Sequence, residues 1–302
     1  MLPAEFKAVL SRQHYSLVGG HSAVKPCLWM KKAVRGEGHC YKQRFYGIES
    51  HRCMQMTPAV GWCSHRCLFC WRNTEYTLGQ EMDSWDEPEA IIEGAIEAHR
   101  QAVSGFRGLR VDERLYQEAR KPKHVAISLA GEPTAYPPLG ELIGGFKRRG
   151  MTTYLVTNGT MPERVSSLST LPSQLYMSIV AADPQTYRRV CLPRPVDGWE
   201  RIMETLDIFP SLDTRKVLRI TAVKGLNMSD PAGYARLIER AAPDFLEVKA
   251  FMYVGGSRNR LGQDNMPSHD DVREFALEIA MELSWHVKDE KPDSRVVLLA
   301  AH

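Results

Sequence analysis

Cys63-Ser64-His65-Arg66-Cys67-Leu68-Phe69-Cys70 sets three thiols in one short loop, spaced so that all three can face a single point. Soft thiolates are favoured ligands for iron–sulfur clusters and for zinc. Three of them can hold three corners of a cubane cluster, and this run offers no fourth thiol. The remaining iron would then be open to a small molecule. The same thiols with His65 could instead hold structural zinc, or carry no ligand at all. The run by itself leaves these readings open.

The spacing Cys-x3-Cys-x2-Cys, with Phe69 before the last thiol and Trp71 after it, resembles the cluster loop of the radical S-adenosylmethionine (SAM) superfamily. That resemblance implies a [4Fe-4S] cluster on Cys63, Cys67 and Cys70, with the amino and carboxylate groups of SAM on the open iron. Upstream, Cys27, Cys40 and Cys53 recur at equal intervals. Gly36, Gly38 and Gly47 mark turns between them, and Lys31, Lys32, Arg35, Lys42, Arg44 and Arg52 make the segments basic. The region reads as loops, not as a packed helix or strand repeat. A shared metal offsets the ordering entropy of such loops. A second [4Fe-4S] cluster with one open iron is the sharp expectation. Zinc completed by His39 or His51, or scattered loop thiols, are the alternatives. Cys191 reads as an ordinary buried thiol.

Composition narrows the class. The chain has 302 residues, 43% hydrophobic and 25% charged, which fits a soluble globular protein and not a disordered one. No apolar run is long enough to span a membrane, and residues 1–20 lack the apolar centre of a secretory signal. A formal charge of +3 neither demands nor excludes a nucleic-acid partner. Seven cysteines, six of them within residues 27–70, argue against a disulfide framework and for reduced, cytoplasmic thiols used as metal ligands.

Downstream, apolar runs alternate with helical patterns. Strands are expected at 56–62, 125–130, 153–157, 174–181, 218–223, 245–253 and 295–300. Helices are expected at 87–104 (capped by Asp86, with Ile92, Ile96, His99 and Val103 on one face), 139–149, 231–241 and 269–283. This is an α/β pattern. It predicts a partial (β/α)6-type barrel over residues 54–302, with an N-terminal cysteine-rich extension at 1–53. Residues 104–122 form a charged insertion, expected as a mobile segment or an extra helix. In such barrels the chemistry sits at the C-terminal strand ends. The cluster loop, Gly131-Glu132-Pro133 and Asn158 all fall there.

Ser128-Leu129-Ala130-Gly131-Glu132-Pro133 resembles the superfamily's Gly-Gly-Glu motif, with Ala130 in place of the first glycine. The resemblance implies that Ala130, Gly131 and Glu132 hold the SAM amino group. Asn158 and Ser178 are candidates for ribose or carboxylate contacts; each could equally be a capping residue.

The two cysteine triplets together carry a narrower likeness. Cys27, the segment Cys40-Tyr41-Lys42-Gln43-Arg44-Phe45-Tyr46-Gly47-Ile48, Ser50-His51-Arg52-Cys53-Met54-Gln55-Met56-Thr57-Pro58 and Trp62 to Arg72 resemble the tRNA 4-demethylwyosine synthase family in its archaeal, stand-alone form. The resemblance implies a lyase of wybutosine biosynthesis. It would join N1-methylguanosine at position 37 of tRNA-Phe to two carbons of pyruvate, with electrons from an external ferredoxin- or flavodoxin-like donor. Lys42 matches the family's proposed Schiff-base lysine; a surface lysine or phosphate contact is the bland alternative. A monomer without membrane association is expected. Lys31, Lys32, Arg35, Arg107, Arg110, Arg120, Lys121, Lys123, Arg258 and Arg260 could grip RNA phosphates, and Trp29, Trp71 and Tyr253 could stack on bases. The rival readings are a radical SAM enzyme acting on a peptide or protein, and a zinc-bearing RNA-binding module.

Overall fold

The computed structural model describes residues 2–107 and 111–301, so Arg110 lies outside the described residues. The chain divides into two units. The first comprises residues up to 63, 78–156 and 168–173; the second comprises 64–77, 157–167 and 174–302.

In the first unit, α1 (Ala4–Arg12) precedes a hairpin of β1 (Ser16–Val18) and β2 (Ser22–Val24). Two short helices follow, α2 (Leu28–Val34) and α3 (Tyr41–Tyr46), and then β3 (Cys53–Thr57). Helices α4 (Pro88–Ser104) and α5 (Glu113–Ala119) lead to β4 (His124–Ile127), α6 (Leu139–Arg148) and β5 (Thr152–Thr157). β2 runs antiparallel to β3, while β3, β4 and β5 are parallel, with Gln55 opposite Ala126 and Ala126 opposite Tyr154.

The second unit carries α7 (Pro162–Ser166), β6 (Gln174–Ser178), α8 (Pro184–Cys191), α9 (Gly198–Ile208), β7 (Arg215–Ala222), α10 (Pro231–Ala241) and β8 (Phe245–Ala250). It ends with α11 (His269–Leu283), β9 (His286–Lys291) and β10 (Val296–Ala300). β6, β7 and β8 are parallel; β10 runs antiparallel to both β8 and β9. Each unit thus supplies three parallel strands with helical crossovers, the repeat of a partial (β/α)6 barrel.

Several expected boundaries move. The first strand ends at Thr57, not Trp62. Pro58 has no N–H for a ladder, and Thr57 Oγ1 donates to Ala130 O (2.6 Å) while accepting from Ala59 N (3.1 Å). The second ends at Ile127, because Ser128 N and Leu129 N both donate to Met56 O (3.0 and 3.1 Å) and turn the chain out of the ladder. Asp86 does not cap α4. Its carboxylate accepts from Gly20 N at 2.7 Å and faces His21 Nε2 at 3.4 Å.

The cysteine-rich segment is more structured than its polar composition suggests. Met30 and Val34 of α2 bury against Val103 and Phe106 at the end of α4 and against Tyr116 and Ala119 of α5, with Cys27 at the edge of this small core. The charged insertion therefore forms a helix that supports the segment carrying the upstream thiols. His51 Nε2 lies 2.7 Å from Glu118 Oε2 of the same helix.

His99 packs within this region, fully buried, and its Nε2–H donates to Ala119 O at 2.9 Å. Nδ1 is buried with no hydrogen-bond partner, so protonating it would bury an unpaired charge. Burial lowers the His99 pKa from 6.5 to about 4. Between those values the unfolded chain holds the extra proton, so stability falls as the pH falls from about 6.5 towards about 4. Denaturant unfolding at about pH 5 is expected to give about 2 kcal/mol less stability than at about pH 7 from this group, and His99→Asn should flatten the dependence by a similar amount.

Candidate active site

The loop 64–77 begins the second unit, and its backbone polar groups are bound at almost every turn. Ser64 Oγ accepts from Asn158 Nδ2 (2.8 Å) and bonds Thr160 Oγ1 (2.6 Å). Arg194 clasps both ends, its N–H donating to Ser64 O (2.8 Å) and its guanidinium to Thr77 O (3.0 Å). Arg66 N and Leu68 N donate to Cys191 O (3.0 Å) and Val190 O (2.9 Å) at the end of α8. Buried Arg72 donates to His65 O (3.3 Å) and Thr77 Oγ1 (3.0 Å).

Arg260 closes the other side. Its guanidinium donates to Leu68 O (3.2 Å), Cys70 O, Arg72 O (3.3 Å) and Thr74 Oγ1 (3.2 Å). Arg260 was one of the residues that could grip RNA phosphate; here its guanidinium is spent on the thiol-bearing loop, with Glu75 Oε1 also 3.5 Å from it. Gly255, at φ +59°, lets this segment approach, since a Cβ there would sit 2.3 Å from Trp71 O. A lysine cannot reproduce the fork. Arg260→Lys is expected to cost about 2 kcal/mol in denaturant unfolding.

This loop presents Cys67 and Cys70 as half-buried thiols. Burial pushes Cys70 up, and Cys67 is pushed well up by its hydrogen bond with Cys191 and then by burial. Such thiols ionise when a metal supplies the missing positive charge, so the donor set fits a metal cluster. His65 is buried and shares a 2.7 Å hydrogen bond with Tyr187 Oη through Nε2. Desolvation lowers its pKa to about 3, which keeps the ring neutral.

Cys63 ends the first unit, buried, its N–H donating to Gly79 O at 2.8 Å. Beside it lies the turn after β4. Gly131 adopts φ +71°, and a Cβ would fall 1.9 Å from Ala59 O and 2.7 Å from Trp62 O. Glu132 N donates to Trp62 O (2.7 Å), which ties this turn to the chain entering the cysteine loop. The Glu132 carboxyl is almost fully buried, and one oxygen accepts from Thr134 N (3.1 Å) and Thr134 Oγ1 (2.7 Å). Asn158, in the second unit, accepts from Thr160 N (3.0 Å) as a local turn residue and donates to Ser64 Oγ.

The upstream thiols converge in the first unit. Cys27 caps α2, its Sγ accepting from Met30 N at 3.3 Å, Cys40 precedes α3, and Cys53 opens β3. Cys40 N donates to Ser50 Oγ (2.9 Å), which closes the loop between α3 and β3. Burial raises the Cys53 thiol strongly, the neighbouring Cys27 and Cys40 add to it, and the Lys42 ammonium opposes it. Burial likewise raises Cys27, again opposed by Lys42. Lys42 is 9% exposed, with Nζ 5.0 Å from the Tyr154 ring centroid, so it is not a surface lysine. Three half-buried thiols, two of them facing the Lys42 cation, suit a metal cluster; His51, which with His39 was an alternative zinc ligand, is engaged with Glu118.

One feature escaped the sequence reading. Ser178, Arg219 and Glu247 stand side by side across β6, β7 and β8. Arg219 Nε donates to the fully buried Glu247 carboxylate at 2.8 Å, and its guanidinium lies 4.3 Å from the Tyr176 ring centroid. A buried pair of this kind across two parallel strands is weak evidence of stabilisation, because both charges lose their hydration. In the sequence, Arg219 and Glu247 are each a single charge flanked by apolar residues within a strand. Among the basic candidates, Arg107, Arg120, Lys121 and Lys123 are exposed, whereas Lys31, Lys32 and Arg35 are half-buried.

The Radical SAM superfamily profile matches residues 57–238, and a profile for Wyosine base formation matches residues 240–301. The chain is 51% identical over 304 residues to the S-adenosyl-L-methionine-dependent tRNA 4-demethylwyosine synthase of Pyrococcus abyssi (strain GE5 / Orsay), covering 99% of this chain and 89% of that protein. The synthase of the same name from Methanocaldococcus jannaschii is 40% identical, with 99% and 96% covered. A solved structure of TYW1 with a lysine-pyruvate adduct bound superposes with a TM-score of 0.90 at 40% identity, covering 99% of this chain and 96% of that one. A crystal structure of archaeal TYW1 gives 0.82 at 36%, with the same coverage. A radical SAM methyltransferase from Sphaerobacter thermophilus shares the fold at a TM-score of 0.54 and 12% identity, over 93% of this chain and 80% of that one. The peptide-modifying and zinc-module readings are set aside. SAM and one [4Fe-4S] cluster come with the superfamily. The chain belongs to the S-adenosyl-L-methionine-dependent tRNA 4-demethylwyosine synthases, radical SAM enzymes that act on tRNA.

Proposed function

We propose that this chain condenses N1-methylguanosine-37 of tRNA-Phe with two carbons of pyruvate to give 4-demethylwyosine, the bond to pyruvate's carboxylate carbon breaking and that carbon being released, and that Lys42 is the residue that captures pyruvate. The observation that carries this is the placement of Lys42: a buried ammonium against Tyr154, electrostatically coupled to the upstream thiols Cys27 and Cys53. The 40%-identical relative solved with a lysine-pyruvate adduct supports the same reading.

Cys63, Cys67 and Cys70 hold the cluster to which SAM binds. Bound there, the pair supplies one-electron chemistry strong enough to remove hydrogen from an unactivated methyl group. The backbone of Ala130 and Gly131 and the carboxylate of Glu132 bind the SAM amino group; Asn158 and Ser178 take its ribose or carboxylate. The Lys42 amine attacks the ketone of pyruvate and water leaves, giving an imine that activates the carbon chain. Cys27, Cys40 and Cys53 would hold a second [4Fe-4S] cluster, which would offer pyruvate a further anchor. Residues 1–53 are the extension that bears this cluster, and 54–302 the barrel. The chain works as a cytoplasmic monomer with an external ferredoxin- or flavodoxin-like donor. Among the described residues, no helix is long and apolar enough to cross a membrane.

The test is anaerobic incubation with N1-methylated tRNA, SAM, dithionite and carbon-labelled pyruvate, followed by nucleoside mass analysis. A tricyclic nucleoside carrying two pyruvate carbons is expected; an unlabelled product defeats the reading. Borohydride added during turnover should fix label to the Lys42 peptide, and its absence there defeats the imine.

A further inference from the structure

Cys191 takes no part in the chemistry above, yet it does not sit as an inert core thiol. The ligand atoms of His65, Cys67 and Cys191 all lie within 4.8 Å of one another, inside the second unit. We propose that, in protein lacking its iron–sulfur cluster, these three residues bind one thiophilic cation of the zinc class, and that this cation and the cluster exclude each other because both require Cys67.

The site is built from rigid parts. Arg66 N and Leu68 N donate to Cys191 O (3.0 Å) and Val190 O (2.9 Å), so the peptide on either side of Cys67 is pinned to the end of α8. This fixes the backbones that carry the two thiols. His65 is oriented by Tyr187, whose hydroxyl is 2.7 Å from Nε2 and whose ring packs edge-on at 5.3 Å; Trp199 backs Tyr187 at 5.7 Å. A hydrogen bond on one ring nitrogen is the usual support for a metal-binding histidine, and it leaves Nδ1 for the cation.

The donor set selects the ion. Two thiols and one imidazole suit zinc or a similar soft cation and not magnesium or calcium. Tetrahedral zinc with Zn–S near 2.3 Å sets its ligand atoms roughly 3.5–3.8 Å apart, so closing this triangle asks for side-chain shifts of about 1 Å. Binding releases the two thiol protons to solvent, and water takes the fourth position. His65 and Cys191 both lie buried, so little would need desolvating.

The experiment uses the full chain, stripped of iron under reducing, oxygen-free conditions and titrated with Co2+. Native protein is expected to bind one more equivalent than Cys191→Ala, with thiolate-to-cobalt charge-transfer absorption that zinc abolishes. Cys27, Cys40 and Cys53 contribute equally to both proteins, and both are made in a Cys63→Ala/Cys70→Ala background for this arm so that Cys67 cannot bind cobalt with the cluster-loop thiols; the difference then isolates Cys191. His65→Gln should weaken the same increment at least tenfold. Far-UV circular dichroism checks each fold, and if Cys191→Ala is unfolded the isosteric Cys191→Ser is read instead. Equal cobalt stoichiometry in native and variant overturns the site. In the second arm, one equivalent of zinc is added before reconstitution with iron and sulfide. Assembly of the cluster, followed by its reduced paramagnetic signal, should slow at least tenfold in native protein and not in Cys191→Ala. This arm rests on Cys67 serving the cluster, whereas the cobalt arm does not. Cobalt binding without slowed assembly therefore overturns the exclusion and Cys67's assignment together, while leaving the cation site standing.

Discussion

Cys27→Ala is expected to retain reductive cleavage of SAM while losing tricyclic nucleoside by at least about a thousandfold, whereas Cys63→Ala should lose both. The asymmetry follows from where the thiols lie. Cys63 enters the loop beside the Gly131 turn, while Cys27 lies at the edge of a separate small core with α4 and α5, next to Lys42. Cys27 also caps α2 through Met30 N, so alanine removes a cap worth about 1 kcal/mol along with the proposed ligand. Cys27→Ser separates the two roles, because a hydroxyl caps a helix well and ligates iron poorly. If Cys27→Ser restores stability but not product, the thiol acts as a ligand. If Cys27→Ser forms product at the native rate, the upstream cluster has no part in the reaction.

Gly131→Ala should be the most damaging glycine-to-alanine substitution among the described residues. The position combines φ +71° with a Cβ that would stand 1.9 Å from Ala59 O and 2.7 Å from Trp62 O. Both obstacles are backbone, so no side chain can swing away. Relief requires moving the turn away from residues 59–62, which breaks the 2.7 Å bond from Glu132 N to Trp62 O. Left-handed strain, one lost buried hydrogen bond and the clash together point to about 3–5 kcal/mol of destabilisation, measurable by denaturant unfolding. If the chain still folds, SAM affinity measured by equilibrium dialysis should fall at least tenfold. Native stability and native affinity together would show that the turn has slack that the geometry denies.

The parts of the fold that could be read from the residues were those with strong local signals. α10 and α11 match their expected limits because Pro231 opens one, Ser268 caps the other, and the apolar face repeats along both. Strand ends were misplaced where tertiary hydrogen bonds decide them, as at Thr57 and Ile127. α2 and α3 were missed because each has at most two turns; Met30 and Val34 stabilise α2 only through contact with helices some seventy residues onward. The thiol triplets and the Gly131 turn were legible as spacing and backbone chemistry. Arg260 was not, since nothing near it in the chain reveals that its guanidinium binds carbonyls of residues 68–72. Arg219 and Glu247 were overlooked because a charge within an apolar strand reads as a break in the pattern until the strands are laid side by side.

The grip of Arg260 on the thiol-bearing loop has a bearing on biosynthesis. During translation the cysteines emerge from the ribosome nearly two hundred residues before the arginine that organises their backbone. A nascent chain halted before this residue would expose the thiols on an unbraced loop, so metallation is expected to await synthesis of Arg260 and the segment around it.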